Sequence, residues 1–256
     1  MVTMAFVEYE VVDRVAVIRM NRPERLNALG PEMGGELRAA LKRFKDDADA
    51  WVAILTGTGR GFCAGRDVKA QAEGGPPPRP VYTEDWNIFG VPDTDKPMIA
   101  AVNGFAIGAG WYMTAGCDIR VAAESAKFGM GEVPTGVLGP YWFSLAEVLP
   151  WAIGAEVTLI GENIPARRLF ELGLLNEVVP DDELMPAAMR WAKKFLALPP
   201  LHVRRTKALM ASMRRIPDAK LIAAETEARA FLNDLDDTRE AAQAFAEKRA
   251  ATFTGR

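Results

Sequence analysis

The sequence predicts an α/β protein, and three observations carry that prediction. Short apolar runs of strand length recur between glycine-punctuated turns, helix-period segments stand among them, and the chain from Glu156 onward is mostly helical in pattern. Tyr9 to Asn21 alternates around Val11, Val15, Val17, Ile18 and Met20, with Asp13-Arg14 as a polar break, and reads as a hairpin of two strands. Asn21-Arg22-Pro23-Glu24-Arg25 then leaves the sheet as a loop. Glu32 to Phe44 places Met33, Leu37, Ala40, Leu41 and Phe44 at helical spacing behind Pro31, a residue suited to a first helical turn. Trp51 to Thr56 is a buried-strand run, and Gly57 to Gly65 reads as a loop.

The Gly-Gly-Pro-Pro-Pro run within Glu73 to Pro80 is incompatible with regular structure and reads as a surface loop or lid margin. Met98 to Val102 is the next strand. Asn103-Gly104 and the Gly108-Ala109-Gly110 turn follow it, then a helix over Trp111 to Gly116 and a strand at Ile119 to Ala122. Ala219 to Ala251 reads as one long amphipathic helix. Neither a linker nor a repeat at fixed period is visible.

The 256 residues, 49% hydrophobic and 25% charged, suit one globular unit with a sizeable core and room for a small subdomain. Lys and Arg number 31 against 34 Asp and Glu, a formal charge of -3, so there is no basic field for nucleic-acid phosphates. Met1 to Glu10 has no basic segment followed by an apolar run, which disfavours a secretory signal and makes a cytoplasmic location the expectation. Met98 to Cys117 carries no charge over about the length of a bilayer span, but its glycines and Asn103 favour strand, turn and helix start over a membrane helix.

Cys63 and Cys117, the two cysteines, are too few and too far apart for a disulfide framework or a zinc cluster, and read as buried small side chains. The single histidine, His202, follows Pro199-Pro200-Leu201 at a helix start, an ordinary surface placement. A His-dependent triad is therefore disfavoured.

Two segments offer backbone donors for carbonyl chemistry, in which N–H groups must point where a thioester oxygen gathers negative charge. Phe62-Cys63-Ala64-Gly65-Arg66-Asp67 follows one strand. Gly108-Ala109-Gly110 follows another and opens a helix whose N-terminal dipole favours an anion. For each alone a tight strand-to-helix turn is the favoured reading; their joint presence shifts the balance towards function. Gly59 to Ala64 also fits a loose G-x-G-x-x-A pattern, but it runs into Gly65 and then a Pro-rich stretch, without the long helix a dinucleotide requires.

With these segments in view the chain resembles the crotonase (enoyl-CoA hydratase/isomerase) superfamily over nearly its whole length. The matching stretches are NRPERLNAL at Asn21 to Leu29, GFCAGRDVK at Gly61 to Lys69 and KPMIAAVNGFAIGAG at Lys96 to Gly110. CDIRVA at Cys117 to Ala122, AKFGMGE at Ala126 to Glu132 and ARRLFELGLLNEVV at Ala166 to Val179 continue it in order. The resemblance implies a crotonase-like spiral of ββα units over residues 1–200, then a helical oligomerisation region over residues 201–256. It further implies a homotrimer or homohexamer, with no metal and no cofactor beyond the coenzyme A of the substrate. The oxyanion-hole N–H groups would be those of Arg66 and Ala109, flanked by Gly108 and Gly110. Arg25, Leu26, Ala28 and Ala64, with Arg66, Asp67, Val68 and Lys69, would contact the CoA moiety. Arg25 reads equally as a solvated loop charge.

In a typical hydratase of this family two glutamates hold one water. Glu132 matches the second, but Tyr112 stands at the first position. A phenol, with a pKa of about 10, is a poor base at neutral pH but can hold a water or hydroxyl group. One carboxylate is enough for double-bond isomerisation, and with Tyr112 holding the water it could also serve hydration or dehydration. The apolar company of Glu132 (Phe128, Met130, Val133) makes burial, and a raised pKa, the expectation over a surface loop charge. The run Tyr141-Trp142-Phe143 departs from the family pattern; Trp142 either walls the acyl pocket or packs in the core. On the C-terminal helix Ile222, Ala223, Ala230, Phe231 and Phe245 offer an apolar face for its own domain or a neighbour, with Lys248 and Phe253 near a neighbour's CoA site on the resemblance.

Three alternatives stay open. Another reaction of the superfamily (a carnitinyl-CoA-like dehydratase, a thioester hydrolase or a carbon–carbon lyase) would use the same oxyanion hole. A catalytically weak acyl-CoA-binding protein would keep the fold without turnover. A nicotinamide-dependent reductase is disfavoured by the failed fingerprint.

Overall fold

The computed structural model of the chain describes residues 2–3, 6–67, 94–138, 149–212 and 219–254. They belong to two compact units, Met1–Phe128 with Ile164–Arg214, and Gly129–Asn163 with Arg215–Arg256. In chain order the first unit opens with β1 (Val2–Thr3), β2 (Val7–Val12), β3 (Val15–Met20) and α1 (Pro31–Asp46). There follow β4 (Val52–Gly57), β5 (Gly61–Cys63), β6 (Met98–Val102), β7 (Phe105–Ile107), α2 (Ala109–Gly116), β8 (Ile119–Ala123) and β9 (Lys127–Gly129). The second unit contributes α3 (Trp151–Ala155). The first then resumes with β10 (Ile164–Pro165), α4 (Ala166–Glu171), β11 (Glu177–Val179), α5 (Leu184–Leu196) and α6 (Pro200–Ser212). The second unit closes with α7 (Ala219–Asn233) and α8 (Asp236–Glu247).

Among the described residues a larger sheet runs β1-β2-β3-β4-β6-β8-β11 and a smaller one β10-β9-β7-β5. β2 and β3 form the expected hairpin, turning on Asp13 and Arg14, both at positive φ (48° and 65°). That two-residue geometry matches the twist of the strands it joins. From β3 onward the larger sheet is parallel, and β4 and β6 are buried along nearly their whole length. The chain steps between the sheets in pairs: β4 then β5, β6 then β7, β8 then β9. With α2 between the second and third pairs, this is a ββα repeat.

α1 buries Met33, Leu37, Ala40, Leu41 and Phe44, the face its periodicity predicts. Lys96 closes its C-terminus, donating from Nζ to Phe44 O (2.8 Å) and Asp47 O (2.6 Å), where a cation meets unsatisfied carbonyls. The uncharged stretch Met98 to Cys117 divides into β6, β7 and the 8 residues of α2. Among the described residues no helix is long and apolar enough to cross a membrane.

The structure departs from the sequence expectations in three places. Gly57 to Gly65 contains β5, and the region after Glu156 contains β10 and β11; all three are too short to show a two-residue period. Ala219 to Ala251 is two helices and not one. The break falls at Asn233-Asp234-Leu235-Asp236, where Asn and Asp compete with helical backbone bonds and Leu235 is extended. Thr238 reaches back from α8, donating from Oγ1 to Leu232 O at 2.6 Å. Arg204 pairs with Asp95 (2.9 Å) and Lys207 Nζ donates to Asp118 (2.7 Å) and Lys96 O (2.6 Å), so α6 belongs to the first unit. The segment Glu73 to Pro80 lies outside the described residues.

Candidate active site

β5 ends at Cys63 and the chain turns through Ala64, Gly65, Arg66 and Asp67. β7 ends at Ile107 and turns through Gly108 into α2. These turns meet backbone to backbone. A methyl carbon placed on Gly65, which has a φ of 83°, would stand 2.8 Å from Ile107 O and 3.6 Å from Ala109 N. A side chain on Gly110 would run into the Cys63 carbonyl. Only glycine permits either approach, which explains two of the glycines in the sequence motifs. Around this junction Cys63, Gly65, Gly108 and Gly110 are buried, while Ala64, Arg66, Ile107 and Ala109 are half-exposed.

The two candidate donors, Arg66 and Ala109, have separate origins. Ala109 opens α2 beyond Gly108 (φ 52°), and first-turn N–H groups have no acceptor within their helix. Arg66 forms an isolated parallel bridge with Leu29, in which Leu29 N–H donates to Gly65 O (2.7 Å) and Asp67 N–H donates to Leu29 O (3.2 Å). Both bonds use the polar groups of Leu29, so the N–H and C=O of Arg66 itself turn to the opposite side. Paired backbone donors at adjoining turns can stabilise charge developing on a carbonyl oxygen.

The expected CoA-contact residues gather beside the first turn. Ala64 N–H donates to Leu26 O at 3.0 Å, and Leu26 and Asn27 both take positive φ (50° and 57°). Arg25 is half-buried at the end of a 3-10 turn, its guanidinium without a hydrogen bond or ion pair among the described residues. Ala28 is buried. Asp67 is buried as well, and its carboxylate accepts from Arg22 at 2.7 Å, so it is engaged in an ion pair within the protein. Val68, Lys69 and Trp142 lie outside the described residues.

Tyr112 is 1% exposed, one turn along α2 from Ala109 and therefore on the same face. Its ring belongs to the interior and not to a surface. Glu132, in the second unit, precedes a 3-10 turn (Val133–Thr135), and its carbonyl accepts from Thr135 N (3.1 Å) and Val137 N (2.8 Å). Glu132 is half-buried with Oε2 fully buried, unlike a surface loop charge. The turn is backed by Gly161, where any side chain would strike Pro134.

His202 is exposed in the first turn of α6, as its sequence context predicts. Cys63 and Cys117 are buried, and burial pushes the Cys63 thiol up to about 12, which removes it as a nucleophile at neutral pH. Arg22 and Asn27 belong to the NRPERLNAL stretch, where their residue types alone point to no role. Asn27, fully buried, accepts from Arg22 N–H (2.7 Å) and donates to Thr58 O (3.0 Å) and Gly61 O (2.7 Å). An asparagine between charged and apolar neighbours, able to adopt positive φ, was the available signal.

Comparison with known proteins matches residues 10–256 to the family model described as enoyl-CoA hydratase/isomerase. The (E)-benzylidenesuccinyl-CoA hydratase of Thauera aromatica is 34% identical over 97% of this chain and 99% of that protein. The 1,2-epoxyphenylacetyl-CoA isomerase of Escherichia coli is 32% identical over 99% of this chain and 100% of its own length. Among solved structures, a carnitinyl-CoA hydratase from Mycobacterium avium superposes with a TM-score of 0.84 at 32% identity, covering 99% of this chain and 100% of that one. The alternation of strands between two sheets and the meeting of two glycine turns thus sit within a match that spans nearly the whole sequence, and the chain belongs to the enoyl-CoA hydratase/isomerase family of the crotonase superfamily.

Proposed function

We propose that this enzyme processes an enoyl-CoA thioester, with the N–H groups of Arg66 and Ala109 holding the thioester oxygen and Glu132 moving the proton. The observation that supports the reading is the contact of the two glycine turns at Gly65–Ala109 and Gly110–Cys63, since these are the turns that carry Arg66 and Ala109. Drawing charge onto the oxygen stabilises an enolate, so C2 becomes easy to protonate or deprotonate. In hydration, water adds its oxygen to C3 while a proton goes to C2; Tyr112 holds the water in place of a second carboxylate and Glu132 handles its proton. In isomerisation, Glu132 takes a proton from C2 of a 3-enoyl thioester and returns it at C4. Arg25, with no partner among the described residues, is the cation for the CoA phosphates, with Leu26, Ala28, Ala64, Arg66, Asp67, Val68 and Lys69 as the further CoA contacts. Trp142 is proposed as a contact for the acyl group.

A dehydration of carnitinyl-CoA type is the second reading, favoured by the similarity to the Mycobacterium avium structure together with Tyr112. We further propose a homotrimer or homohexamer, working in the cytoplasm on CoA substrates without a cofactor. The exposed Trp151, Leu159, Ile160, Phe231 and Phe245 of the second unit support assembly, since a lone chain would leave them in water. Light scattering on the purified protein tests it, and a monomer at micromolar concentration contradicts it.

The test of the reaction offers the protein a short 2-enoyl-CoA and, separately, its 3-enoyl isomer, and follows the absorbance of the conjugated thioester. Loss of absorbance from the first identifies hydration, and gain from the second identifies isomerisation. No change with either, while CoA-ester binding persists, contradicts both and leaves the dehydratase, hydrolase, lyase and binding-protein alternatives.

A further inference from the structure

We infer that Arg22 and Asp67 form a positioning pair that holds the Arg66 N–H in its catalytic direction; this rests on the oxyanion-hole reading above. The direction of that N–H is set by the Leu29 bridge, which consists of two hydrogen bonds between loop segments. Two such bonds, each worth about 1 kcal/mol net, are a small anchor for a group whose placement must be accurate to a fraction of an ångström.

The surroundings supply the missing rigidity. Asp67, the residue after the donor, is held by Arg22 Nη1 on its Oδ2 at 2.7 Å, with side chains 4% and 18% exposed respectively. The same Nη1 donates to Ala28 O at 3.3 Å, and the guanidinium lies 5.6 Å from the centre of the Phe6 ring. Among the described residues, a weaker contact to the exposed Glu24, at 3.8 Å, is the other ion pair of Arg22. On the backbone side, Arg22 N–H donates to Asn27 Oδ1 (2.7 Å), and Asn27 Nδ2 donates to Gly61 O (2.7 Å) at the start of β5.

Arg22 therefore closes a ring. Its backbone is tied through Asn27 to the strand entering the turn, and its side chain is tied to the residue leaving it, with Leu29 and Arg66 between. An exposed pair in this place would contribute little, because solvent screens it and side-chain entropy opposes it. A pair this buried fixes geometry, because separating the charges would strand one of them away from water. Such an arrangement explains why a charged pair stands beside a site whose donors are backbone groups.

The test measures kcat and KM for wild type, Asp67→Asn and Arg22→Lys on the substrate identified above. It also records the absorbance of a bound cinnamoyl-type CoA thioester carrying a para-amino donor, whose band moves to longer wavelength as its thioester oxygen accepts hydrogen bonds. Asp67→Asn is expected to lower kcat on the order of 10- to 100-fold with KM changed less than about threefold, and to shrink the red shift in step. Arg22→Lys keeps the cation and is expected to fall between that variant and wild type. If Asp67→Asn does not fold by circular dichroism, Arg22→Lys and Arg22→Met are read by the same criteria. A wild-type red shift and kcat in the variants overturns the inference, as does a loss of kcat with the red shift intact. Absence of the red shift in wild type itself is a different failure, since it removes the oxyanion hole on which the pair would act.

Discussion

The donor turns of the first unit and the Glu132 turn of the second are made of different material. Arg66 and Ala109, the proposed donors, would offer backbone N–H groups from turns where two glycines let the backbones approach. Glu132 offers a side chain from a 3-10 turn, its own carbonyl holding that turn together through Thr135 and Val137. The first arrangement is indifferent to the side chains at its donor positions and intolerant of any shift in the backbone. The second tolerates small backbone shifts and depends on one functional group.

The largest expected effect breaks the backbone side of that contrast. Gly110→Ala would drive a methyl group into the Cys63 carbonyl, which lies in a strand and has no room to retreat. It is expected to lower turnover by at least about 100-fold, the scale of losing one oxyanion donor, and to lower the melting temperature. A Gly110→Ala enzyme with wild-type rate would mean that the meeting of the turns is irrelevant to chemistry.

Tyr112→Phe sharpens the other side. If the phenol holds a water, hydration should fall roughly tenfold while isomerisation is nearly unchanged, because only hydration uses that water. Equal losses in both reactions would give Tyr112 a packing role on α2. The thiols are a smaller matter. With the Cys63 pKa pushed up to about 12 by burial, neither cysteine should react with a disulfide reagent at neutral pH until the protein unfolds. Ready modification of the native protein would show that the β5 turn opens. Last, His202→Ala is expected to leave the rate within about twofold of wild type, since an exposed helix-start histidine has no part in the proton path. A larger loss would implicate a group outside both turns.

The α/β order, the hairpin at Asp13-Arg14, α1 and the strand Met98–Val102 were legible because each shows a clear hydrophobic period or turn signal. β5, β10 and β11 were not, since two or three residues cannot establish a period. The C-terminal break at Asn233 to Asp236 was visible as helix-disfavouring residues but was outweighed by the periodicity on either side. At the site, the glycines were the legible signal: Gly65 and Gly110 mark the two turns whose backbones meet. The partners that stiffen the first turn were hidden, because Arg22 and Asp67 are 45 residues apart in sequence and nothing local says that two charges will meet away from water.

The central claim is that a single carboxylate, Glu132, moves the proton for an enolate held by backbone donors. The most direct measurement is turnover of Glu132→Gln beside its affinity for a non-reacting acyl-CoA, compared with wild type. The account predicts a rate lowered by at least about 100-fold with affinity changed less than about threefold, because the amide keeps the shape and cannot carry the proton. A Glu132→Gln enzyme that turns over at the wild-type rate would contradict it.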